Sequence, residues 1–166
     1  SSPLKGEWIL PFDKGGPKLP QNDVVSTLPS WTKLSPDAEA FSGSATYTLQ
    51  FENPNSSVKN WILDLGDVRE SAKIWINEEF VGTLWSIPYK LHIKNLKAGK
   101  NTLKIQVTNL PANRIRDMEL KGQEWKIFYE INMVDKDYKK FDATKWNPMP
   151  SGLLGPVTLT PLKEQN

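Results

Sequence analysis

Apolar and polar residues alternate with a period of two along most of the chain. Ala45, Tyr47, Leu49 and Phe51 alternate with Thr46, Thr48 and Gln50, and Leu103, Ile105 and Val107 with Lys104, Gln106 and Thr108. Leu91 and Ile93 alternate with Lys90, His92 and Lys94. Each run predicts a strand with one face in a core and the other in water. Val157 and Leu159 predict a short closing strand, and the nearly continuous apolar run Trp61 to Leu65 predicts a strand buried on both sides. Turn chemistry separates the runs: Asn53-Pro54-Asn55-Ser56-Ser57, Leu65-Gly66-Asp67 and Lys97-Ala98-Gly99-Lys100-Asn101. Ala72, Ile74 and Ile76 lead through Asn77-Glu78-Glu79 to Phe80-Val81-Gly82, the pattern of a hairpin, although Glu is weaker turn chemistry than Gly.

Helical period is weak. Ser35-Pro36-Asp37 predicts one short helical turn with Pro just inside its start. Residues 109–117 read as a polar loop. From 119 to 134 a strand-like alternation of Trp125, Ile127, Tyr129, Ile131 and Met133 competes with a long loop. Many short strands with regular turn signals predict an all-β sandwich, and no linker or internal repeat divides residues 1–166.

Composition narrows the function. The 166 residues suit one domain, and a net charge of +2 supplies no basic stripe for nucleic acid. No apolar run approaches the roughly 20 residues of a membrane-spanning helix, and Ser1-Ser2-Pro3 enters the first patterned segment without a leader-like stretch. The absence of Cys excludes disulfides, thiolate metal sites and a cysteine nucleophile. Seven Trp are many for this length. Indoles stack on sugar faces and also fill sandwich cores, so their position has to decide.

Four stretches, taken in order, carry a resemblance. They are Gly6-Glu7-Trp8 with Phe12, Gly16-Pro17 and Ser30-Trp31; Phe41-Ser42-Gly43-Ser44-Ala45-Thr46-Tyr47; the block from Leu63-Asp64-Leu65-Gly66-Asp67-Val68 through Trp75-Ile76-Asn77, Trp85, Pro88-Tyr89 and Val107-Thr108-Asn109-Leu110 to Asn113-Arg114; and Ser151-Gly152-Leu153-Leu154-Gly155-Pro156-Val157. Over roughly residues 5 to 162 they resemble the carboxy-terminal sandwich of glycoside hydrolase family 106, the α-L-rhamnosidases of gut Bacteroides-type bacteria. They are similar, more loosely, to the sugar-binding domain of family 2 glycosidases. The resemblance implies a jelly-roll β-sandwich of the galactose-binding-like type and a place in a periplasmic or extracellular polysaccharide-degrading enzyme. The partners it implies are a catalytic barrel domain of the parent glycosidase and a rhamnose- or galactose-containing glycan. It departs at Asn77-Glu78, where the family has Asn-Gly, and in lacking the barrel.

Catalysis within this chain finds no support. Glycoside hydrolysis needs two carboxyl groups across the bond, about 5 Å apart for retention and about 6.5–9.5 Å for inversion. The nearest approach to an acid in an apolar setting is Asp64, which reads as a strand-end acceptor of backbone N–H groups. His92, the single histidine, lies on a polar strand face. The chain is therefore expected to be non-catalytic: an accessory domain of a glycosidase, or else an independent carbohydrate-binding module, or a protein-interaction sandwich.

A sugar site needs a ring and planar polar groups. Trp85 and Tyr89 in one loop, and Asn109, Asn113, Arg114 and Asp117 in another, supply that mixture, with Trp146 as a further exposed ring. If the strands at 90–94 and 103–108 share a sheet, the two loops meet at one edge. Each residue also has a structural reading: Trp85 capping the core, the Asn side chains satisfying loop backbone, and Arg114 pairing with Asp117. The superfamily often holds a structural calcium, for which Glu7, Asp13 and Asp23 are the carboxylates near one end.

Overall fold

The computed structural model describes residues 1–125 and 141–162. Thirteen strands and two short helices follow one another: β1 (Ser2–Pro3), β2 (Trp8–Leu10), β3 (Phe12–Gly16), β4 (Asp23–Val25), a 3-10 turn (Trp31–Lys33), α1 (Pro36–Glu39), β5 (Ser42–Glu52), β6 (Asn60–Asp64), β7 (Asp67–Arg69), β8 (Ser71–Ile76), β9 (Glu79–Leu84), β10 (Lys90–Lys94), β11 (Lys100–Thr108), α2 (Ala112–Leu120), β12 (Gly152–Gly155) and β13 (Thr158–Pro161). A four-stranded sheet runs β1-β13-β6-β10. A seven-stranded sheet runs β4-β2-β5-β11-β8-β9, with β3 also paired to β5, and β7 pairs with β12 alone. The chain is thus an all-β sandwich.

The period-two pattern explains which face each strand buries. Ala45, Tyr47, Leu49 and Phe51 of β5 oppose Val107, Ile105, Leu103 and Asn101 of β11, and the apolar members are all buried. Ile74 and Ile76 of β8 continue that layer opposite Ile105 and Leu103. The other sheet contributes Trp61, Leu63, Ile93 and Leu159. The expectation of a doubly buried strand at Trp61–Leu65 is corrected: Ile62 and Asp64 are half-exposed, because β6 has the core on one side only. Asp64 accepts a hydrogen bond from the Gly66 N–H (2.9 Å), as a strand-end acid should. The closing strand forms one residue later than expected, at Thr158–Pro161.

The Asn77-Glu78 hairpin holds without glycine. Both residues are left-handed, with φ of 49° and 69°, which is what a tight hairpin matching the strand twist demands. Asn77 tolerates that region, accepts from the Thr102 N–H (2.9 Å) and donates to Asn101 (2.8 Å). Glu78 pairs with Lys104 across the sheet (2.7 Å). Ser35 caps α1 by accepting from the Ala38 N–H (3.1 Å), with Pro36 just inside, as expected.

At the centre of the core, Phe12, Trp31 and Phe41 meet edge to face with centroids 5.1–5.7 Å apart. The Tyr47 hydroxyl accepts from Trp31 Nε1–H (2.7 Å) and from the Leu153 N–H (3.1 Å). Burial pushes the Tyr47 phenol up to about 12, against a smaller opposing effect from these two donors. The folded pKa lies above the ordinary value of about 10, so this contribution is complete below pH 10 and is lost as pH rises to about 12. Alkaline unfolding followed by circular dichroism should show about 2–3 kcal/mol more loss over that window in the native chain than in Tyr47→Phe. Equal slopes would contradict a buried, neutral phenol.

Candidate functional site at the loop end of the sandwich

The two loops singled out in the sequence do reach one end of the molecule, but not through a shared sheet. β10 pairs with β6 and β11 with β5 and β8, in opposite sheets. The five residues after β10 carry the chain across the sandwich instead of making a hairpin. Asn95 there has φ 58° and donates its N–H to the Lys59 carbonyl (3.2 Å). The loops converge for another reason. Val107 lies opposite Ala72, and Ala72 opposite Leu84, so β11 and β9 finish at the same end. β6 finishes there too, where the Leu65 N–H donates to the Tyr89 carbonyl (2.9 Å).

The second loop is corrected: residues 112–120 form α2, preceded by Pro111 and without a side-chain cap. Tertiary hydrogen bonds hold it. Asn113 is buried, donates to the Met149 carbonyl (2.8 Å) and accepts from the Met149 N–H (2.7 Å). Arg116 donates to the Trp146 carbonyl (2.6 Å) and pairs with Glu39 (3.2 Å).

The candidate residues divide sharply. Asn109 is buried; it accepts from the Gly43 N–H (2.9 Å) and donates to the Phe41 carbonyl (2.8 Å) and Ser151 Oγ (3.3 Å). Tyr89 is buried and donates to the Glu70 carbonyl (2.6 Å). Tyr89, Asn109 and Asn113 therefore direct their polar atoms into the protein, which corrects their picture as groups open to a sugar. Arg114 does not pair with Asp117: its Nη1 would stand 3.2 Å from a Cβ on Gly16, and Asp117 pairs with Lys121 (2.7 Å). Trp146 is exposed, as expected, and packs edge to face on Phe141 (5.4 Å). Trp85 does not cap the core; it is 73% exposed.

The sequence pattern does not single out three further exposed apolar side chains. Ile87 is 84% exposed, Leu110 50% and Met149 45%. Ile87 and Tyr89 line a cleft of about 300 Å³ with Arg69 and Glu70, and the same two residues border Leu110, Asn113 and Met149 on their other side. The signal was present as single aliphatic residues amid turn formers, Ser86-Ile87-Pro88 and Pro148-Met149-Pro150. Around this apolar rim, Arg69 holds Asp67 through two hydrogen bonds (2.7 and 2.9 Å), and those bonds followed by the Asp67 charge raise the guanidinium above its ordinary value. Behind α2, Leu34, Glu39, Asn113, Arg116 and Asp117 line a second cleft of about 470 Å³.

Asp64 is held by the Gly66 N–H and Lys90 (3.3 Å), and Asp67 by Arg69. Among the described residues no three His, Cys, Asp or Glu side chains gather around a common centre, so Glu7, Asp13 and Asp23 form no carboxylate cluster for calcium. Asp13 instead accepts from Thr46 (2.6 Å) and Gln106 (3.3 Å). Among the described residues no helix is long and apolar enough to cross a membrane.

No family model matches the chain. It is 32% identical, over 98% of its length, to a putative β-glucuronidase of Formosa agariphila, of which it covers 16%. It superimposes on a rhamnosidase from Novosphingobium sp. PP1Y with a TM-score of 0.72 and 31% identity, over 96% of this chain and 15% of that one. A β-glucuronidase of Bifidobacterium dentium shares the fold over 64% of this chain and 20% of its own, with a TM-score of 0.53 and 20% identity. The chain is therefore a β-sandwich whose relatives are glycoside hydrolases, and it spans about one sixth of the length of the Formosa and Novosphingobium proteins.

Proposed function

We propose that this chain is a non-catalytic accessory domain, of the galactose-binding-like jelly-roll type, within a larger rhamnosidase-like glycoside hydrolase acting on plant polysaccharide. One observation carries the reading: nearly the whole chain matches a piece of about 15–16% of much longer glycosidases. The loop end supplies its mechanism. Trp85, Ile87, Leu110 and Met149 expose apolar side chains at this end, with Arg69, Glu70 and Asp67 beside Ile87, a mixture of the kind an interface uses. The catalytic part of the parent enzyme would cover them, and the parent's site would lie elsewhere in that polypeptide.

The paired substitution Trp85→Ser/Ile87→Ser tests this. Neither side chain is buried in the chain alone, so its melting temperature should move by less than about 2 °C. In the full-length polypeptide the same pair should lower the melting temperature by several degrees, because a buried interface is lost. An unchanged full-length enzyme, or a native polypeptide consisting of this domain alone, would overturn the reading.

A further inference from the structure

The sequence contains three arginines, Arg69, Arg114 and Arg116. Two have their donors engaged: Arg69 holds Asp67, and Arg116 holds Glu39 and the Trp146 carbonyl. Arg114 has neither an ion pair nor a side-chain hydrogen bond among the described residues. It is nonetheless held in place. The side chain is half-buried, and its Cζ, Nη1 and Nη2 stand 3.4, 3.2 and 3.5 Å from the point a Cβ on Gly16 would occupy, so the guanidinium lies against the Gly16 backbone. Its nitrogens remain within reach of solvent, because no fully buried side-chain nitrogen among the described residues lacks a partner. The register places this group at the loop end. Gly16 pairs with Ser42 at the start of β5, Ser44 lies opposite Thr108 at the end of β11, and Thr108 lies opposite Ser71 of β8. Trp85 and Leu110 leave the sheet at this same end.

We propose that Arg114 is the charged anchor of this docking end, taking an Asp or Glu carboxylate of the parent polypeptide's catalytic part in a two-bond ion pair. The inference rests on the accessory-domain reading and adds to it the chemistry of one contact. Three observations select it. The planar fork of a guanidinium matches a carboxylate, and this one is already packed against Gly16, so little side-chain freedom is lost when it binds. The chain offers it no acid of its own: Asp117 on the same helix pairs with Lys121, and Glu39 with Arg116. Covering it with an apolar surface would leave its charge uncompensated, which the partner avoids by supplying an acid. The covering surface belongs to the same polypeptide, since the chain matches only 15–16% of its longer relatives. Size agrees as well. Four strand spacings separate β3 from β9, about 19 Å, and one side of a standard interface, roughly 800 Å² and about 30 Å across, reaches from Arg114 to Trp85.

The test reads docking through hydroxyl-radical modification of Trp85 in the full-length polypeptide carrying Arg114→Glu, Arg114→Met or Arg114→Lys. Arg114→Glu sets two carboxylates against each other, so Trp85 modification should rise about threefold or more above that of the native full-length protein. Arg114→Met, which keeps the stem and loses the charge, should give a smaller rise, and Arg114→Lys the smallest, because the charge remains without the fork. In the chain alone the melting temperature of each variant should stay within about 2 °C of the native value, since Arg114 has no partner there. Trp85 protected equally in native, Arg114→Glu and Arg114→Met full-length proteins would overturn the anchor and leave the accessory-domain reading standing. Trp85 unprotected in the native full-length protein would remove that reading and the anchor with it. A chain alone that melts several degrees lower in both Arg114→Met and Arg114→Lys would make Arg114 an internal packing residue and overturn the proposal.

Discussion

Gly43→Ala is expected to cost at least about 4 kcal/mol, enough to unfold the chain at ordinary temperature. Gly43 of β5 faces Gly15 of β3. A Cβ on Gly43 would fall on the Lys14 carbonyl oxygen and stand 2.6 Å from the Gly15 Cα and 2.7 Å from the Phe41 ring. Two of those obstacles are backbone, so no rotamer change relieves them. The strands would have to part, which breaks the pairing that seats Phe12 against Trp31 and Phe41. The contact is reciprocal, and a Cβ on Gly15 would stand 2.7 Å from the Gly43 Cα. Gly15→Ala should therefore be comparably damaging, and the double variant should cost less than the sum if the strands part once for both. Urea unfolding followed by tryptophan fluorescence measures this. A loss below about 1 kcal/mol would mean that the strands are not held this close.

Asn109→Ala should cost about 2–4 kcal/mol while leaving the surface unchanged. Its amide serves three buried partners at once: the Gly43 N–H, the Phe41 carbonyl and Ser151 Oγ. Alanine leaves all three without it, and every fully buried side-chain polar atom among the described residues is otherwise satisfied. Asn109→Asp keeps the acceptor but removes the donor and buries a charge, so it should be no milder. The outcome separates a structural role from a ligand role. A sugar contact would lower affinity at constant stability; a tie between β5, β11 and β12 lowers the melting temperature and leaves the affinity of the folded fraction alone.

The strands were legible because one face of each is buried, and burial of one face writes a period of two into Ala45–Phe51 and Leu103–Val107. Their partners were not. The turn at Lys97–Asn101 has the composition of a hairpin but carries the chain between sheets, and the choice depends on remote pairing of β10 with β6. The helix at Ala112–Leu120 escaped notice because it has little of its own to announce it. It opens without a side-chain cap, is rich in charge and buries only Asn113 among its residues. Its stability comes from Met149, Trp146 and Glu39, all distant in sequence.

The candidate site was half legible for a similar reason. Asn109 and Asn113 offer the hydrogen-bonding groups a sugar needs, and the same groups satisfy buried backbone equally well. Nothing local decides which. Trp85 was visible as an aromatic in a loop, but Ile87, Leu110 and Met149 flank Arg69 and Glu70 only because three chain segments meet at one end.

Hydroxyl-radical footprinting of Trp85, in the isolated chain and in the full-length polypeptide that carries it, tests the central claim most directly. The indole is 73% exposed in the chain alone and should be modified readily there. In the full-length enzyme, modification of Trp85 should fall at least fivefold. Equal modification of Trp85 in both would show that the loop end meets no catalytic partner and would contradict the account.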